Sequence, residues 1–227
     1  MAKCVITIDG PAASGKSTAA RLLAKKLGAV FLDTGAMYRA VTLAAMQSGV
    51  DLENDELVAE VLDKNCFSFE ADKDIMIVSI NGRYVTEQLR DIEVTANAKY
   101  ISASKKVRQR LVKMQREFAE NHGIIVTEGR DQGTIAFPDA DVKFFLTAEL
   151  DERARRRQAD LSAKGINESF ESVKKAIEER DKSDRSRIVG PLKPADDAIT
   201  IDTTGLSIEQ MIDKLLEIIK SKCSKKK

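Results

Sequence analysis

The feature that most constrains this chain is a glycine-rich segment near its start, Gly10-Pro-Ala-Ala-Ser-Gly-Lys-Ser17. It fits the pattern G-x-x-x-x-G-K-[S/T] in full, between a short apolar run, Val5–Ile8, and a helical pattern from about Lys16 to Leu27. Glycines let a backbone wind tightly, so that successive N–H groups point into one concavity at a helix N-terminus. The segment therefore predicts a phosphate-binding loop between a strand and a helix.

This loop also predicts chemistry for two of its side chains. Lys16 is expected to reach the β- and γ-phosphates of ATP, and the Ser17 hydroxyl is expected to bind Mg²⁺. GTPases, motor ATPases, transporters and small-molecule kinases all use such a loop, so it does not by itself choose a function. The expected ATP-binding residues are Gly10, Pro11, Ala12, Ala13, Ser14, Gly15, Lys16, Ser17 and Thr18.

Apolar runs recur along the chain and alternate with helical patterns. Besides the first run, strands are predicted at Val30–Leu32, Ile124–Thr127, Val142–Leu146 and Ala198–Ile201. The last helix is expected to start at Ser207, which can form a capping box with Gln210. This alternation predicts an α/β fold, in which helices cover both faces of a five-stranded parallel sheet.

One segment interrupts this rhythm and predicts a small antiparallel sheet. Three short strands are expected at Phe67–Glu70, Ile75–Ile80 and Arg83–Val85, and Asn81-Gly82 is a strong type I′ hairpin signal. We therefore expect an inserted unit at residues 65–92. The core domain then comprises residues 1–64 and 93–227, with an arginine-rich helical lid at about residues 151–168.

Charge and composition argue against several classes of protein. The 37 Lys and Arg residues balance 36 Asp and Glu, whereas a general nucleic-acid scaffold is usually clearly basic. A single histidine, His122, argues against a histidine triad or a multi-histidine metal site. Cys4, Cys66 and Cys223 are scattered, which favours a reducing compartment. No apolar stretch reaches roughly 18 residues and no signal peptide is evident, so we expect a cytoplasmic protein without membrane contact.

Charged and polar residues follow two of the predicted strands. Asp33-Thr-Gly-Ala-Met-Tyr-Arg39 comes after the second strand, and Glu128-Gly-Arg-Asp131 comes after the third. Ligands bind at the carboxyl ends of strands in open α/β sheets, so both segments are candidates for a second anion site, although each could be a solvated turn. Glu128 also has the position of a Walker B carboxylate, which acts on Mg²⁺ directly or through water.

Two later segments concentrate arginine. Arg153, Arg155, Arg156 and Arg157 lie together on a predicted helix and form either a solvated face or a lid that closes over phosphates. On the next helix Arg180, Asp184 and Arg187 have the spacing i, i+4, i+7 and share one face. That face is either an exposed ion-paired surface or a pair of arginines that Asp184 orients toward a nucleotide.

Together these blocks resemble the bacterial cytidylate kinases over nearly the whole chain. The resemblance is carried by Ile8–Ser17, Leu32–Arg39, Glu128–Thr134, Glu179–Arg187 with Pro191-Leu192, and Asp202–Thr204. It implies phosphorylation of CMP or dCMP by ATP with Mg²⁺, in a monomer that needs neither nucleic acid nor membrane. The antiparallel insertion is similar to the enlarged nucleoside-monophosphate-binding domain of that family.

The resemblance also implies roles for individual residues. Lys16, Arg130, Arg153 and Arg157 are implied as catalytic, and Ser17 and Glu128 as metal ligands. Arg39 and Arg130 would hold the acceptor phosphate, Arg108 and Arg187 would read the cytosine, and Arg180 and Asp184 would lie at the sugar. The implied acceptor-binding residues are Thr34, Arg39, Arg108, Arg130, Asp131, Arg180, Asp184 and Arg187.

The chain departs from the family pattern next to Arg108. Lys99 stands where relatives usually have a serine that contacts the base, and Ser102 is the alternative candidate for this contact. The usual proline before Val107-Arg108 is also missing, and Lys105-Lys106 occupies this stretch.

The sequence leaves other functions open. The nearest is a kinase for another acceptor, such as UMP, AMP, shikimate or dephospho-coenzyme A. A nucleotide switch would not require arginines at both strand ends, and the chain has no Asn-Lys-x-Asp guanine signature. Binding of nucleic acid through the basic clusters would be strongly salt-dependent.

Overall fold

A five-stranded, fully parallel sheet forms the centre of the fold in the computed structural model, which describes residues 4–72 and 75–224. The strand order is β2-β6-β1-β7-β8. All five predicted strands are confirmed, each within two residues at either end. Their bounds are β1 (Cys4–Asp9), β2 (Val30–Asp33), β6 (Ile124–Gly129), β7 (Val142–Thr147) and β8 (Ile199–Asp202).

The strands are apolar on both sides because helices cover both faces of the sheet. In β6, Ile125 packs into one hydrophobic cluster and its neighbour Val126 packs into the other, since alternate residues of a strand face opposite sides. The cluster around Val126 contains the buried residues of α1 and α8, and the cluster around Ile125 contains those of α2, α3 and α5. The helices are α1 (Lys16–Leu27), α2 (Thr34–Gln47), α3 (Asp55–Lys64), α4 (Ile92–Ala103), α5 (Lys105–Glu120), α6 (Leu150–Ser162), α7 (Phe170–Ser186) and α8 (Ile208–Ser224).

The register of the central strands aligns the ends that build the site. Ile8 of β1 pairs with Glu128 of β6, and Asp33 of β2 pairs with the same Glu128. Asp9 pairs with Gly129 one residue further on. Three acidic residues therefore lie at one level of the sheet, at the edge from which the phosphate-binding loop continues.

The inserted sheet is confirmed as three antiparallel strands, β3 (Phe67–Asp72), β4 (Ile75–Ile80) and β5 (Arg83–Tyr84). Asn81 (φ 52°) and Gly82 (φ 78°) both have left-handed backbones, as a type I′ turn requires. Met76, Val78 and Ile80 of β4 are buried in the same hydrophobic cluster as α2. The small sheet thus shares the main core, and its boundaries at residues 65–92 stay a prediction.

The predicted lid, about residues 151–168, covers α6 and its connection to α7, and its role as a lid stays a prediction. Helices α6 and α7 pack together as a hairpin. Ala154 of α6 packs with Val173 and Ile177 of α7 and with Ala12 of the glycine-rich loop. The base of the hairpin is therefore in contact with the loop.

Two expectations from the sequence concern membrane contact and Cys223. Between residues 4 and 224, apart from 73 and 74, no helix is long and apolar enough to cross a membrane. The side chain of Cys223 and the lysines 225–227 of the tail lie outside the described residues.

The capping box of α8 gives a test of the fold. Ser207 Oγ accepts from the Gln210 N–H at 3.1 Å, and Gln210 Oε1 accepts from the Ser207 N–H at 2.9 Å. We expect Ser207→Ala to lower the free energy of unfolding by about 1 kcal/mol in urea titration, because the Gln210 N–H at the helix end loses its fixed acceptor. Ser221→Ala, an exposed position of the same helix, is the control, and an equal loss there would contradict the assignment.

Candidate functional site

The glycine-rich loop leaves β1 and winds tightly before α1 begins at Lys16. Its backbone has a positive φ at Gly10 (φ 151°) and Gly15 (φ 88°), and Ala13 (φ 58°) is one of only two non-glycine residues with a positive φ in the described chain. A Cβ added to Gly10 would collide with the carbonyl oxygen of Leu146 in β7. The predicted loop geometry is confirmed, and its N–H groups gather at the N-terminus of α1.

Lys16 lies folded back into this loop. Its Nζ donates to Pro11 O at 2.5 Å and lies 3.4 Å from Ser14 Oγ. Burial, followed by the nearby charge of Arg130, lowers the pKa of Lys16 to about 7. A charged Lys16 is therefore costly in these buried surroundings, and a polyanion in the concavity would favour its protonated form.

Ser17 and Glu128 form the part of the site that suits a cation. Ser17 Oγ donates to Glu128 Oε1 at 2.9 Å, which joins the start of α1 to the end of β6. The described residues contain no group of three or more His, Cys, Asp or Glu that could hold a metal. A hydroxyl and one carboxylate nevertheless fit Mg²⁺, which binds through one or two protein oxygens together with substrate phosphates and water.

Beside this pair, the start of α2 presents a threonine and an arginine. Thr34 Oγ1 donates to Glu128 O at 2.7 Å, and Asp33 caps the helix by accepting from the Ala36 N–H at 2.8 Å. Arg39 lies 3.6 Å from the Asp33 carboxylate, while its Nε is buried and has no protein partner among the described residues. Arg39 therefore keeps a donor for a ligand.

A second arginine is buried behind this region. Arg108 of α5, only 2% exposed, forms an ion pair with Asp131 and donates to Ser102 O at 3.2 Å. Its guanidinium also lies over the Tyr38 ring, 5.7 Å from the centroid. Burial raises the pKa of Asp131, and the charge of Arg108 acts against this rise. Arg108 Nε, which has no partner in the described protein, is a further donor for a ligand.

The two candidates for a base-contacting side chain differ in their surroundings. Ser102 is buried, and its hydroxyl donates to Lys99 O at 3.1 Å. Lys99 is exposed, with its Nζ 4.8 Å from the centroid of the neighbouring Tyr100 ring. Of the two candidates, Ser102 lies beside Arg108, because its carbonyl oxygen accepts a hydrogen bond from the Arg108 guanidinium.

Asp184 of α7 holds two arginines, Arg130 and Arg187, whereas its spacing predicted Arg180 and Arg187. It is 2% exposed, accepts from Arg130 Nε at 2.7 Å and forms an ion pair with Arg187. Burial would raise the pKa of Asp184, but the charges of Arg130 and Arg187 outweigh burial and hold this pKa below its ordinary value. The carboxylate is therefore ionised at neutral pH and fixes both guanidinium groups.

Arg180 stands one turn before Asp184 and contributes charge that the protein leaves unpaired. No hydrogen bond or ion pair joins it to the part of the chain that the structure describes. Crowding by protein atoms, and then the charge of Arg130, lowers the pKa of Arg180 to about 10, although its side chain stays open to solvent. Arg180 and Arg130 thus form an electropositive surface that suits an anion.

The arginine cluster of α6 divides into different environments. Arg153 is buried and bonded to the protein, Arg155 and Arg156 pair with Glu152, and Arg156 also donates to Thr203 O at 2.7 Å. Arg157 is half-buried, and no described residue accepts from it. Of the two arginines predicted to act from the lid, Arg157 has no described partner, whereas Arg153 binds backbone carbonyls and Asp181 through its Nε and Nη1.

Sequence reasoning missed two carboxylates that shape the site. Asp9, just before the loop, accepts from the N–H groups of Gln132 at 2.9 Å and Gly133 at 2.7 Å, and burial raises its pKa to about 7. These amides begin a short π-helical turn, Gln132–Ala136. Asp9 therefore fixes the turn that directly follows Arg130 and Asp131. The second carboxylate is Asp181 of α7, which accepts from the Ala12 N–H of the loop and binds Arg153 of α6. Asp9 adjoins the glycine-rich motif, but that position alone did not reveal its partners.

Comparisons with known proteins match this chain over nearly its full length. The model of a protein family described as cytidylate kinase matches residues 6–221. A cytidylate kinase from Bacillus cereus (strain ATCC 10987 / NRS 248) is 45% identical over 214 residues, which cover 94% of this chain and 95% of the relative. One from Bacillus anthracis (strain CDC 684 / NRRL 3495) is similar to the same extent, with 45% identity and the same coverage of 94% and 95%.

One solved structure supports the fold. An uncharacterized protein from Eubacterium ventriosum ATCC 27560 superposes with a TM-score of 0.52 at 14% identity, covering 96% of this chain and 99% of the other. At this identity the likeness shows only the shared architecture.

Gly190 offers a test of the buried Arg108–Asp131 pair. A Cβ at Gly190 (φ 63°) would overlap Arg108 Nη2 and Asp131 Oδ2, whereas one at Gly165 (φ 77°) would meet open space. We expect Gly165→Ala to cost about 1–2 kcal/mol for its backbone alone. Gly190→Ala should cost about 1–3 kcal/mol more, because the pair must move. Equal losses in thermal or urea unfolding would contradict the packing described here.

Proposed function

The chain belongs to the cytidylate kinase family, and we propose that it transfers the γ-phosphoryl group of ATP to CMP and dCMP, giving ADP with CDP or dCDP. The observation that carries this proposal is the pair of anion sites at one edge of the sheet. One is the glycine-rich loop, and the other is the set of arginines held by Asp131 and Asp184. A kinase for an acceptor that is already phosphorylated needs both.

The donor site is the loop and the start of α1. The backbone N–H groups of residues 13–18 and the Lys16 ammonium would hold the ATP phosphates. Ser17 and Glu128 would hold Mg²⁺, which supplies charge neutralisation between the β- and γ-phosphates when it is bound. The register of β1 and β6 brings these two residues together.

The acceptor site lies across the same edge of the sheet. Arg39 and Arg130, with Thr34 beside them, would hold the phosphate of CMP. The buried Arg108, fixed by Asp131, would read the cytosine together with Arg187. Arg180 and Asp184 would lie at the sugar.

The geometry requires no general base. The acceptor phosphate is ionised at neutral pH, so catalysis consists of in-line positioning and stabilisation of charge on the transferred group. Lys16 and Arg130 would stabilise that charge from the two sides, and Arg157 would approach from α6. Closure of the hairpin would exclude water and limit hydrolysis of ATP. Arg153 would contribute from the base of the hairpin.

The proposed activity belongs to pyrimidine nucleotide metabolism. We propose a cytoplasmic monomer whose partner is the small-molecule nucleotide, in keeping with the near-zero net charge. The family match does not favour UMP, AMP, shikimate or dephospho-coenzyme A as the acceptor.

An acceptor panel tests the function directly. With ATP and Mg²⁺, we expect rapid diphosphate formation from CMP and dCMP, and at least about tenfold lower kcat/KM with UMP and AMP, because a buried site rejects a base that leaves its donors unpaired. Lys16→Ala should abolish turnover without unfolding the chain, as circular dichroism can show. Near-normal turnover in Lys16→Ala would refute the mechanism, and a better acceptor than both CMP and dCMP would refute the proposed substrate.

Arg130 tests the division between donor and acceptor sites. Arg130→Met should raise the KM for CMP by about 10- to 100-fold, since a charged hydrogen bond to phosphate is lost. The affinity for an ATP analogue should change less than about threefold, because Arg130 is bonded to Asp184 rather than to the loop. Arg185→Met, an exposed arginine beside Asp184 on α7, serves as the control. An equal loss of analogue binding would place Arg130 in the donor site.

A further inference from the structure

Both backbone polar groups of Ala12, inside the glycine-rich loop, are bound by side chains of the α6–α7 hairpin. The Ala12 N–H donates to Asp181 Oδ1 of α7 at 3.0 Å. The Ala12 carbonyl accepts from Arg153 Nη1 of α6 at 3.1 Å. These contacts join residues 169 and 141 positions apart in the chain, so they arise from the tertiary fold alone.

The two side chains that hold Ala12 also bind each other. Arg153 Nη1 lies 2.5 Å from Asp181 Oδ2, and Arg153 Nε donates to Ala148 O at 3.0 Å. Arg153 is 6% exposed and Asp181 is 4% exposed, and the apolar cluster of Ala12 with Ala154 adjoins them. A buried pair whose two members also bind the backbone is held rigidly, because losing either partner leaves a buried charge.

The position of Ala12 explains why such rigidity matters. The next residue, Ala13, has a left-handed backbone (φ 58°), which L-residues adopt at a cost. The Ala12 N–H is engaged by Asp181 and is not available to phosphate. Fixing this peptide sets the direction in which the following N–H groups enter the concavity, and so prepares them for phosphate before it arrives.

We propose that Arg153 and Asp181 are positioning residues for the donor nucleotide, which act through the Ala12 peptide and not by touching phosphate. The inference rests on the proposed kinase function for its substrate. It differs from a lid arginine that contacts the γ-phosphate, since the Nε and Nη1 groups of Arg153 bind Ala148, Ala12 and Asp181 instead.

The two roles predict different kinetics. An arginine that stabilises the transferred group contributes about 10³–10⁵ in kcat. A positioning residue for the loop affects the affinity for ATP, and it leaves the acceptor site, which lies on other residues, nearly unchanged. Stability alone would alter neither constant once the protein is folded.

The test uses the full chain and three variants. Arg153→Met leaves Asp181 as an unpaired buried charge and should be the least stable. Combining Arg153→Met with Asp181→Asn removes that charge and should recover stability, while the side-chain amide oxygen introduced at position 181 can still accept from the Ala12 N–H. Arg155→Met, an exposed arginine of the same helix, should match the wild type.

The expected kinetic result is the same for the single and the double variant. In both, the Ala12 carbonyl has lost its donor, so the KM for ATP should rise about tenfold. The KM for CMP should stay within about twofold of the wild type, and kcat should fall less than about tenfold, because the groups that touch the transferred phosphoryl remain in place.

Titration calorimetry with Mg–ADP separates this inference from the proposed function, because it needs no acceptor. The double variant should bind Mg–ADP about tenfold more weakly than the wild type, for the same reason that its KM for ATP rises. If the wild type fails with CMP yet this weakening is seen, the proposed acceptor is wrong and the positioning role stands. A double variant with wild-type affinity for Mg–ADP, an equal rise in both KM values, or a fall in kcat of about 10³ with unchanged KM for ATP would each overturn the inference.

Discussion

The structure depends on the parallel register of β2, β6 and β1, which brings Asp33, Glu128 and Asp9 to one level at the edge of the sheet. Each carboxylate then binds a different piece of the site: Asp33 caps α2 and lies near Arg39, Glu128 accepts from Ser17, and Asp9 holds the turn after β6. A slip of one residue in any strand would turn its carboxylate to the other face and separate these pieces. The sheet is therefore the frame that holds the donor and acceptor sites together.

A second constraint is the balance of charge at this edge. A site for two phosphorylated substrates must concentrate cations, and their mutual repulsion must be tolerable before the substrates bind. Asp131 and Asp184 meet this need by pairing with Arg108, Arg130 and Arg187 in fixed geometry. Arg180 has no such partner within the described chain. The pKa of Lys16 is lowered by burial and by nearby cations. Part of the repulsion among the cations therefore remains, and bound substrates would relieve it.

Local patterns predicted the fold and the donor site because their physics is local. The glycine-rich loop, the strand runs, the Asn81-Gly82 turn and the capping box at Ser207 each depend on residues within a few positions of one another. The spacing of Arg180, Asp184 and Arg187 predicted one helix face, and the structure pairs Asp184 with Arg187, although Arg187 lies just after the end of α7. Local patterns carry no information on the partner of a side chain across the fold. The Arg-rich run of α6 predicted a cationic lid, but nothing in it distinguished Arg153, which turns inward, from Arg157.

The inward turn of Arg153 has a physical rationale. A buried ion pair contributes little net stability, because desolvation of two charges offsets their attraction, whereas breaking the pair is expensive. The Arg153–Asp181 pair lies between the glycine-rich loop and the α6–α7 hairpin. It therefore resists separation of the loop from the hairpin, although it adds little to the stability of the fold. The apolar contacts of Ala12 with Ala154, Val173 and Ile177 surround it and exclude water from the same junction. Any movement of the hairpin over the substrates must then occur beyond this junction, toward the end of α6 where Arg157 and the connection to α7 lie.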